Sequence, residues 1–574
     1  MGSLRSTLWF GRSDELGLQH RAVLRSLGWS PEFFSGKPII GIANSWSELN
    51  PCNSGLRAVA DAVKRGVIAA GGVPLEFNTI SLGEDLMKPS AMMYRNLMAM
   101  EIEEVLRAYP LDGVVLLSGC DKTTPAQLMA VASANLPAIQ VCAGPRSSVK
   151  LAGKEIVAGV SLWKSGDEYR SGKMNGCDWQ SFEEAYGAGV PGTCSSMGSA
   201  STMAVVSEAL GMMLPGTSAI PSQDARRMIA AERSGARAVA LVQQGITPSQ
   251  IMTLPAFENA LRAYLSAGGS TNAIIHLIAI ARRLRVPLAL ADFDRIARDT
   301  PLLLNMQPAG EYLMADFDSA GGLPALFHQL REKISLTAPT ANGKPWGEVI
   351  RDGGTNPVLC STSNPLRESC GLAVLRGSLS PRGAILKTAT ACARLCQHRG
   401  QALVFKNYDD LRNRIDSDDL QATPDSVLVL QNAGAVGVPG MPEWGNIPIP
   451  RRLLHQGVTD MVRISDSRMS GTAHGTVILH MSPEAAIGGD LALVRDGDWI
   501  ELDLAGRRLD LMISDAERMV RKASWKAPVS PHLRGYPRFY AKCVLQPDEG
   551  CDFDFMNPDS DEALHWVTPT IGRS

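Results

Sequence analysis

Three of the eleven cysteines lie in loops of similar character, and their thiols are the side chains of this chain best suited to bind a metal. Cys52 and Cys120 each follow an apolar run, and Cys194 precedes a segment with helical periodicity. Thiolates are the usual ligands of iron–sulfur clusters, and a helix N-terminus lowers the pKa of a nearby thiol. Three converging thiolates would leave one iron open to substrate. Spacing alone keeps buried or catalytic thiols as the alternative, because no CxxC pair joins the three.

Cys392 and Cys396 lie one helical turn apart, which could also indicate a metal site. The stretch from Thr388 to Leu395 is rich in alanine, so we predict a helix there and a packing role for these two cysteines. An odd number of cysteines spread along a large chain argues against a disulfide scaffold.

Acidic side chains accompany the cysteine loops. Glu84 follows a predicted strand, Asp121 directly follows Cys120, and Glu443 lies in a loop rich in glycine and proline. Carboxylate oxygens brought together would bind Mg²⁺, whereas each one alone has a solvated loop charge as its simpler explanation. Lys122 is unexpected beside a magnesium site because an ammonium group repels the ion. It either pairs with a carboxylate or is chemically modified.

Ser470 precedes Gly471 in a polar segment, where a turn would let its hydroxyl approach a ligand closely. The segment is not the Gly-x-Ser-x-Gly elbow of hydrolases, because Arg468 stands two residues before the serine. His474 could act as a base, although a lone histidine is more often structural. The loop 432–440 is similar to a phosphate-cradling turn but lacks the lysine and hydroxyl residue of a P-loop.

The elements that must position these residues change in character near residue 370. Before that point short apolar runs alternate with helical patterns, which predicts a parallel sheet with helices on both faces over residues 1–370. Loops at the carboxyl ends of such strands form the binding crevice. The predicted strands are 38–43, 74–77, 113–117 and 138–141, and the predicted helices cover 57–70 and most of 199–284.

Residues 371–574 are predicted to form a β-rich domain, a barrel or a sandwich, that carries Ser470. Apolar runs follow one another at short intervals, and a hairpin is predicted over 499–513 with its turn at Ala505-Gly506. The runs that favour strands are 402–405, 426–430 and 476–479.

Length and composition limit the function classes. A chain of 574 residues is too long for one compact core. The formal net charge of −2 and the aromatic content of 6% argue against a nucleic-acid partner. No apolar run is long enough to span a bilayer, and the N-terminus lacks the apolar block of a secretory signal. We therefore expect a cytoplasmic protein that acts on a small molecule.

Taken together, these segments resemble the dihydroxy-acid and 6-phosphogluconate dehydratase family over about residues 35–555. Within that family the chain is most similar to the sugar-acid branch, which includes arabinonate and xylonate dehydratases. The segments that carry the resemblance are Pro51-Cys52-Asn53, 119–125, 192–203, 468–471 and Ser482-Pro483-Glu484-Ala485.

The resemblance implies a hydro-lyase that converts a sugar acid (an aldonate) to a 2-keto-3-deoxy acid. It implies a [2Fe-2S] cluster, with [4Fe-4S] as the alternative, on Cys52, Cys120 and Cys194. It also implies Ser470 as the base, working as an alkoxide, and a homodimer or homotetramer. The implied Mg²⁺ ligands are Glu84, Asp121, Glu443 and a carbamylated Lys122, whose carbamate would supply an anionic oxygen.

The chain departs from the amino-acid-biosynthesis members after Cys194. It has Ser195-Ser196 and Gly198-Ser199 where those members usually carry Gly-Gly and an aromatic residue. A different pocket is therefore expected, although a dehydratase of branched 2,3-dihydroxy acids is the alternative enzyme. A non-catalytic binding protein that kept the fold is the alternative from another class.

Overall fold

Two main sheets organise the computed structural model, which describes residues 4–34, 36–354, 356–369, 371–529, 531–532, 534–557 and 569. The first sheet is parallel and consists of β1 (Ile39–Asn44), β2 (Val73–Asn78), β3 (Gly113–Ser118) and β4 (Ala138–Cys142). Its strand order is β2–β1–β3–β4. Every residue of β1 and β3 is buried, as expected for central parallel strands covered on both faces. All four predicted strands are confirmed.

Helices pack against this sheet, and glycine allows the closest of these contacts. A Cβ on Gly66 would lie 1.8 Å from the Glu232 carbonyl oxygen, so the helices Leu56–Ala69 and Ala225–Gln244 cross there backbone to backbone. A small hairpin, β5 (Val149–Leu151) and β6 (Lys154–Ile156), follows β4. The helices are α1 (Thr7–Phe10), α2 (Glu15–Ser26), α3 (Leu56–Ala69), α4 (Arg95–Ala108), α5 (Thr123–Ala134), α6 (Val160–Arg170), α7 (Gly176–Gly187), α8 (Ser199–Ala209), α9 (Ala225–Gln244), α10 (Pro248–Ile251), α11 (Leu254–Ser266), α12 (Asn272–Arg283), α13 (Leu290–Arg298), α14 (Met314–Ser319) and α15 (Gly322–Gln329).

The second sheet has eight strands and closes almost completely into a barrel. Its strands are β7 (Ala373–Leu375), β8 (Gly383–Leu386), β9 (Gln397–Phe405), β10 (Val427–Leu430), β11 (Arg463–Ser465), β12 (Val477–Ser482), β13 (Trp499–Asp503) and β14 (Arg508–Leu511). The order is β14–β13–β9–β10–β11–β12–β8–β7. Arg376 closes the ring: its amide donates to the Arg507 carbonyl at 2.9 Å and its carbonyl accepts from the Leu509 amide at 3.0 Å. The predicted barrel-like fold is confirmed, whereas the domain boundary at residue 370 stays a prediction.

The predicted helix over Thr388–Leu395 is wrong. The structure has two short 3₁₀ turns, Thr388–Thr390 and Ala393–Leu395, separated by extended backbone at Ala391 and Cys392. The Cys392 amide donates to Thr476 Oγ1 at 3.1 Å, so a tertiary contact overrides the helix propensity of the alanines. The remaining helices are α16 (Tyr408–Arg414), α17 (Arg451–His455), α18 (Asp515–Ser524) and α19 (Gly535–Cys543).

The predicted helical region 199–284 is confirmed and forms a large part of the core. All eleven residues of α8 are buried, so its apolar surface serves packing within the chain and offers no free face for a partner. Among the described residues, no helix combines the length and the apolar character needed to cross a membrane.

Candidate active site

Cys52 and Cys120 lie in adjacent loops at the carboxyl ends of β1 and β3. Asn53 joins the two loops, because its Oδ1 accepts from the Cys120 amide at 3.1 Å while its Nδ2 donates to the Ser45 carbonyl at 3.0 Å. Only glycine fits at position 119, where a Cβ would lie 2.4 Å from the Cys52 carbonyl oxygen. The Cys120 thiol donates to Asp121 Oδ1 at 3.4 Å, and interaction with Cys52 raises the pKa of Cys120.

Cys194 reaches the same place from the loop that precedes α8. Its carbonyl accepts from Ser201 Oγ at 2.7 Å, which fixes the loop on the first turn of the helix. A Cβ on Gly198 would lie 3.1 Å from the Cys194 sulfur, so backbone closely covers the thiol. Cys52 contributes to the raised pKa of Cys194, as it does to that of Cys120, so Cys52 lies within electrostatic range of both other predicted cysteines. We call Cys52, Cys120 and Cys194 the thiol half of the site.

The prediction that helix N-termini lower the pKa of these thiols is wrong for Cys120 and Cys194. The hydrogen bond from Cys52 and burial raise the pKa of Cys120 well above its usual value. Burial, followed by the charges of Cys52 and Asp121, raises the pKa of Cys194. Desolvation and like charge therefore outweigh the helix dipole. Crowded, buried thiols whose strongest charged neighbours are negative fit a positively charged iron centre.

Three carboxylates surround the ammonium group of Lys122, whose side chain is completely buried. Lys122 Nζ contacts Asp121, and it lies 3.7 Å from Glu443 Oε1 and 3.9 Å from Glu84 Oε2. Burial alone would raise the pKa of Asp121, but Lys122 brings it below its usual value. Unmodified Lys122 pairs with these carboxylates, while its modification stays a prediction. We call Glu84, Asp121 and Glu443 the carboxylate half.

Arg468 and Asn272 hold the carboxylate half in place. Arg468 Nη1 donates to Glu443 Oε1 at 2.9 Å, and Nη2 lies 3.5 Å from Glu84 Oε1. Asn272 Nδ2 donates to Glu443 at 2.7 Å and to the Met469 carbonyl at 3.2 Å, which joins the carboxylates to the Ser470 loop. Both side chains are fully buried, so these hydrogen bonds are shielded from water.

The residues of the carboxylate half suit a hard divalent cation in their chemistry. Glu84 Oε2 is buried and has no hydrogen-bond partner, which leaves an oxygen available for coordination. Within the described residues, no three His, Cys, Asp or Glu side chains are arranged as a ready metal site. The carboxylates are organised around Lys122 instead, so the charge on that nitrogen decides whether an ion can enter.

Ser470 lies beside this centre on the loop between β11 and β12. Its hydroxyl is 2.8 Å from Thr472 Oγ1, which accepts from the indole nitrogen of Trp163 at 2.9 Å. The Gly471 amide donates to Ser199 Oγ at 3.3 Å, so the turn rests on the start of α8. Arg468 does not support Ser470, because its guanidinium is directed to the carboxylates.

The loop 432–440 does bind an acidic group, although that group belongs to the protein. The amides of Val436 and Gly437 donate to Glu484 Oε1 at 2.8 and 2.7 Å. Burial, together with the charge of Asp466, raises the pKa of Glu484 to about 7. The loop is therefore filled by the carboxyl group of Glu484 and leads directly to Glu443, which agrees with the failure of the P-loop interpretation.

Models of one family match nearly the whole chain. The N-terminal model of the dihydroxy-acid/6-phosphogluconate dehydratases matches residues 37–349, and the C-terminal model matches residues 357–551. The chain belongs to this family. The dehydratase family is a group of hydro-lyases, so the resemblance and the expectation of an enzyme of this class are confirmed.

Individual relatives of this dehydratase cover almost its full length. It is 48% identical to the L-arabonate dehydratase of Azospirillum brasilense over 96% of this chain and 97% of the relative. It is 46% identical to the 6-deoxy-6-sulfo-D-gluconate dehydratase of Pseudomonas putida, with 96% of both chains covered. The dihydroxy-acid dehydratase of Ignicoccus hospitalis is 38% identical over 92% of this chain and 97% of the relative.

Sequence reasoning did not find several polar residues of this dehydratase that shape the site. Asn53 stood directly beside Cys52 and could have been noticed as a loop linker. Asn272, Trp163 and Thr472 carried no signal, because an isolated polar residue in a helical or loop pattern has no partner until the fold brings one.

Proposed function

We propose that this dehydratase removes water from an aldonate to give a 2-keto-3-deoxy acid. The observation that carries the proposal is that the thiol half, the carboxylate half and Ser470 meet at one place. The sugar-acid class is supported by the relatives named for sugar acids, at 46–48% identity, against 38% for the named dihydroxy-acid dehydratase. It is also supported by the hydroxyls of Ser195 and Ser196, which are buried beside Cys194 without a hydrogen-bond partner.

The family uses an iron–sulfur cluster and Mg²⁺. We assign the cluster, of the [2Fe-2S] type, to Cys52, Cys120 and Cys194. We assign Mg²⁺ to Glu84, Asp121, Glu443 and Lys122. When bound, the two groups supply the Lewis acidity that a C3 hydroxyl needs as leaving group and that an enolate-like transition state needs for its charge.

Lys122 is proposed to be carbamylated in the active enzyme. As an ammonium group it neutralises the carboxylates that surround it, and an added cation would then be repelled. A carbamate would replace the positive charge by an anionic oxygen ligand of the kind Mg²⁺ prefers. Arg468, which bonds two of the carboxylates, would then be the remaining cation of the chain at this place.

Ser470 is proposed to take the proton from C2. The indole N–H of Trp163 can only donate, so Thr472 Oγ1 accepts from it and has its own hydrogen available for Ser470 Oγ once the serine has lost its proton. A donor aimed at Ser470 stabilises the oxygen once it has lost its proton, which a hydroxyl needs in order to act as a base. The proton removed from C2 and the hydroxide removed from C3 together form water. The enol product tautomerises to the 2-keto acid without redox change.

A panel of acids tests the proposal by the appearance of 2-keto acid in anaerobically purified enzyme. Pentonates and hexonates should give higher kcat/KM than 2,3-dihydroxyisovalerate. A clear preference for the branched acid would favour the alternative, a dehydratase of branched 2,3-dihydroxy acids. The dehydration chemistry would be the same. No turnover of any acid by iron-loaded enzyme would support the non-catalytic alternative.

Assembly and location stay predictions. A homodimer or homotetramer is expected, and a monomeric mass in light scattering at working concentration would contradict it.

A further inference from the structure

Tyr186, at the end of α7, reaches the Ser470 loop although the mechanism above does not use it. Its hydroxyl oxygen accepts from the Gly159 amide at 3.0 Å. Gly159 touches the site loop so closely that a Cβ there would lie 2.3 Å from Thr472 Oγ1, which is 2.8 Å from Ser470 Oγ. The Tyr186 hydroxyl is therefore separated from the proposed base by one glycine and one threonine.

The Tyr186 hydroxyl still has a hydrogen to donate. Because it accepts from Gly159, its own O–H is not used in that bond, and no acceptor for it lies among the residues the structure describes. Burial raises its pKa, the charges of Asp85 and Cys194 raise it further, and Arg146 lowers it. The Tyr186 hydroxyl therefore lies within electrostatic range of Cys194 and of Asp85, the neighbour of Glu84.

Arg146 lies next to Tyr186 on the same wall. Its amide donates to the Thr193 carbonyl at 2.9 Å, directly before Cys194, and its Nη2 donates to the Tyr186 carbonyl at 3.1 Å. The guanidinium makes no ion pair with the described residues, and its Nε and Nη1 have no acceptor among them. The side chain is only partly exposed and its guanidinium lies 6.0 Å from the centre of the Tyr186 ring, so this charge is not fully solvated and has no carboxylate partner among the described residues.

We propose that Tyr186 and Arg146 bind the distal hydroxyls of the sugar acid and so determine substrate specificity. This rests on the proposed function, because the reacting C2 and C3 must lie at Ser470 and the two halves of the site. The remaining carbons would then extend toward this wall, where an O–H and N–H donors have no acceptor of their own. A polyhydroxy chain provides acceptors for them, whereas a hydrocarbon tail would leave them unpaired.

Tyr186→Phe and Arg146→Met test the proposal through a ratio of substrates. We expect kcat/KM for the preferred aldonate to fall about 3–10-fold in Tyr186→Phe and about 10–100-fold in Arg146→Met, mainly through KM. The kcat/KM for glycerate, a 2,3-dihydroxy acid without distal carbons, should stay within about twofold. If glycerate turns over too slowly to measure, its inhibition constant as a competitor of aldonate turnover can be compared between wild type and variants instead.

Tyr169→Phe is the matched control, because Tyr169 is 48% exposed and its ring packs on Trp179 at 4.9 Å. This variant should leave kcat/KM unchanged for both the aldonate and glycerate. An equal loss for aldonate and glycerate in Tyr186→Phe and Arg146→Met would show a structural role and overturn the proposal. An unchanged ratio would also overturn it. So would a preference of the wild type for an acid with a terminal carboxylate, because Arg146 would then bind an anion.

The proposed function can fail separately. Wild-type enzyme that dehydrates no aldonate contradicts that function itself. Wild-type enzyme that dehydrates aldonates, with variants of unchanged preference, contradicts only the roles of Tyr186 and Arg146.

Discussion

The two halves of the site balance their charges in opposite ways. The carboxylate half is enclosed with Lys122 and Arg468, two fully buried cations that contact its oxygens. No cation among the described residues contacts the thiol half, and the charges that act most strongly on Cys120 and Cys194 are negative. Accordingly the pKa of Asp121 lies below its usual value, while the pKa values of both thiols lie above theirs.

This difference shows which positive charges stabilise each half of the site. The carboxylate half folds with cations supplied by the chain, and an entering ion must first displace or change one of them. Burial and neighbouring negative charge favour the protonated thiols of Cys120 and Cys194 until an external positive centre replaces their protons. The two halves should therefore respond independently to reagents that remove one kind of ion.

Chelation of Mg²⁺ should have the largest effect and should separate the halves. Exhaustive EDTA treatment is expected to abolish turnover, and added Mg²⁺ should restore it, because carboxylate oxygens bind a hard divalent ion reversibly. The visible absorbance of the cluster, measured in the same samples, should not change. Full activity after chelation would count against the carboxylate half as a metal site.

Ser470→Ala should leave both halves intact and remove only proton abstraction. We expect kcat to fall by about 10²–10⁴-fold, the usual cost of losing a general base. Cluster absorbance and Mg²⁺ binding should match the wild type. Thr472→Ser, which keeps a hydroxyl beside Ser470, is the control and should retain most activity. A Ser470→Ala enzyme with near-normal kcat would exclude the serine as the base.

Much of this arrangement could be predicted from the sequence, because the signals were local. The strands that end before Cys52 and Cys120 are runs of apolar residues, and glycine and proline marked the loops. The 3₁₀ turns around Cys392 could not be predicted, since contacts with Thr476 and Asp460 decide them. The raised pKa values of Cys120 and Cys194 could not be predicted either, because their burial and their proximity to Cys52 exist only in the folded chain.

Glu484→Gln tests a third buried group of acidic side chains, Glu484 and Asp466, which are hydrogen-bonded by backbone amides and not by cations. Burial raises the pKa of Glu484 to about 7, so the folded protein keeps a proton that the unfolded chain releases above about pH 4.5. Stability should therefore fall as the pH rises from about 4.5 to about 7, by on the order of 3 kcal/mol.

The Glu484→Gln variant should lose most of that pH dependence. Midpoints of thermal unfolding at about pH 5 and about pH 8 measure the difference for both proteins. Burial also raises the pKa of Asp466, to about 6, so a smaller slope of the same sign should remain. Equal slopes in wild type and variant would show that Glu484 is ionised throughout.

Trp163→Phe should have the smallest effect. It removes the N–H that donates to Thr472 Oγ1 at 2.9 Å, so the threonine hydrogen is no longer directed to Ser470. One neutral hydrogen bond corresponds to about a 2–10-fold change, and kcat should fall by that amount with KM unchanged. A pH–rate profile should show the apparent pKa of the base shifted upward. A change confined to KM would instead assign the tryptophan to substrate binding.

Iron and acid-labile sulfide analysis of anaerobically purified protein tests the central claim most directly, namely that the thiol half holds a cluster. Wild-type protein and Cys392→Ser should contain about two irons and two sulfides per chain, as a [2Fe-2S] cluster requires. Cys52→Ser, Cys120→Ser and Cys194→Ser should each lose both, together with the visible absorbance. Iron and sulfide retained at wild-type levels in all three loop variants would contradict the account.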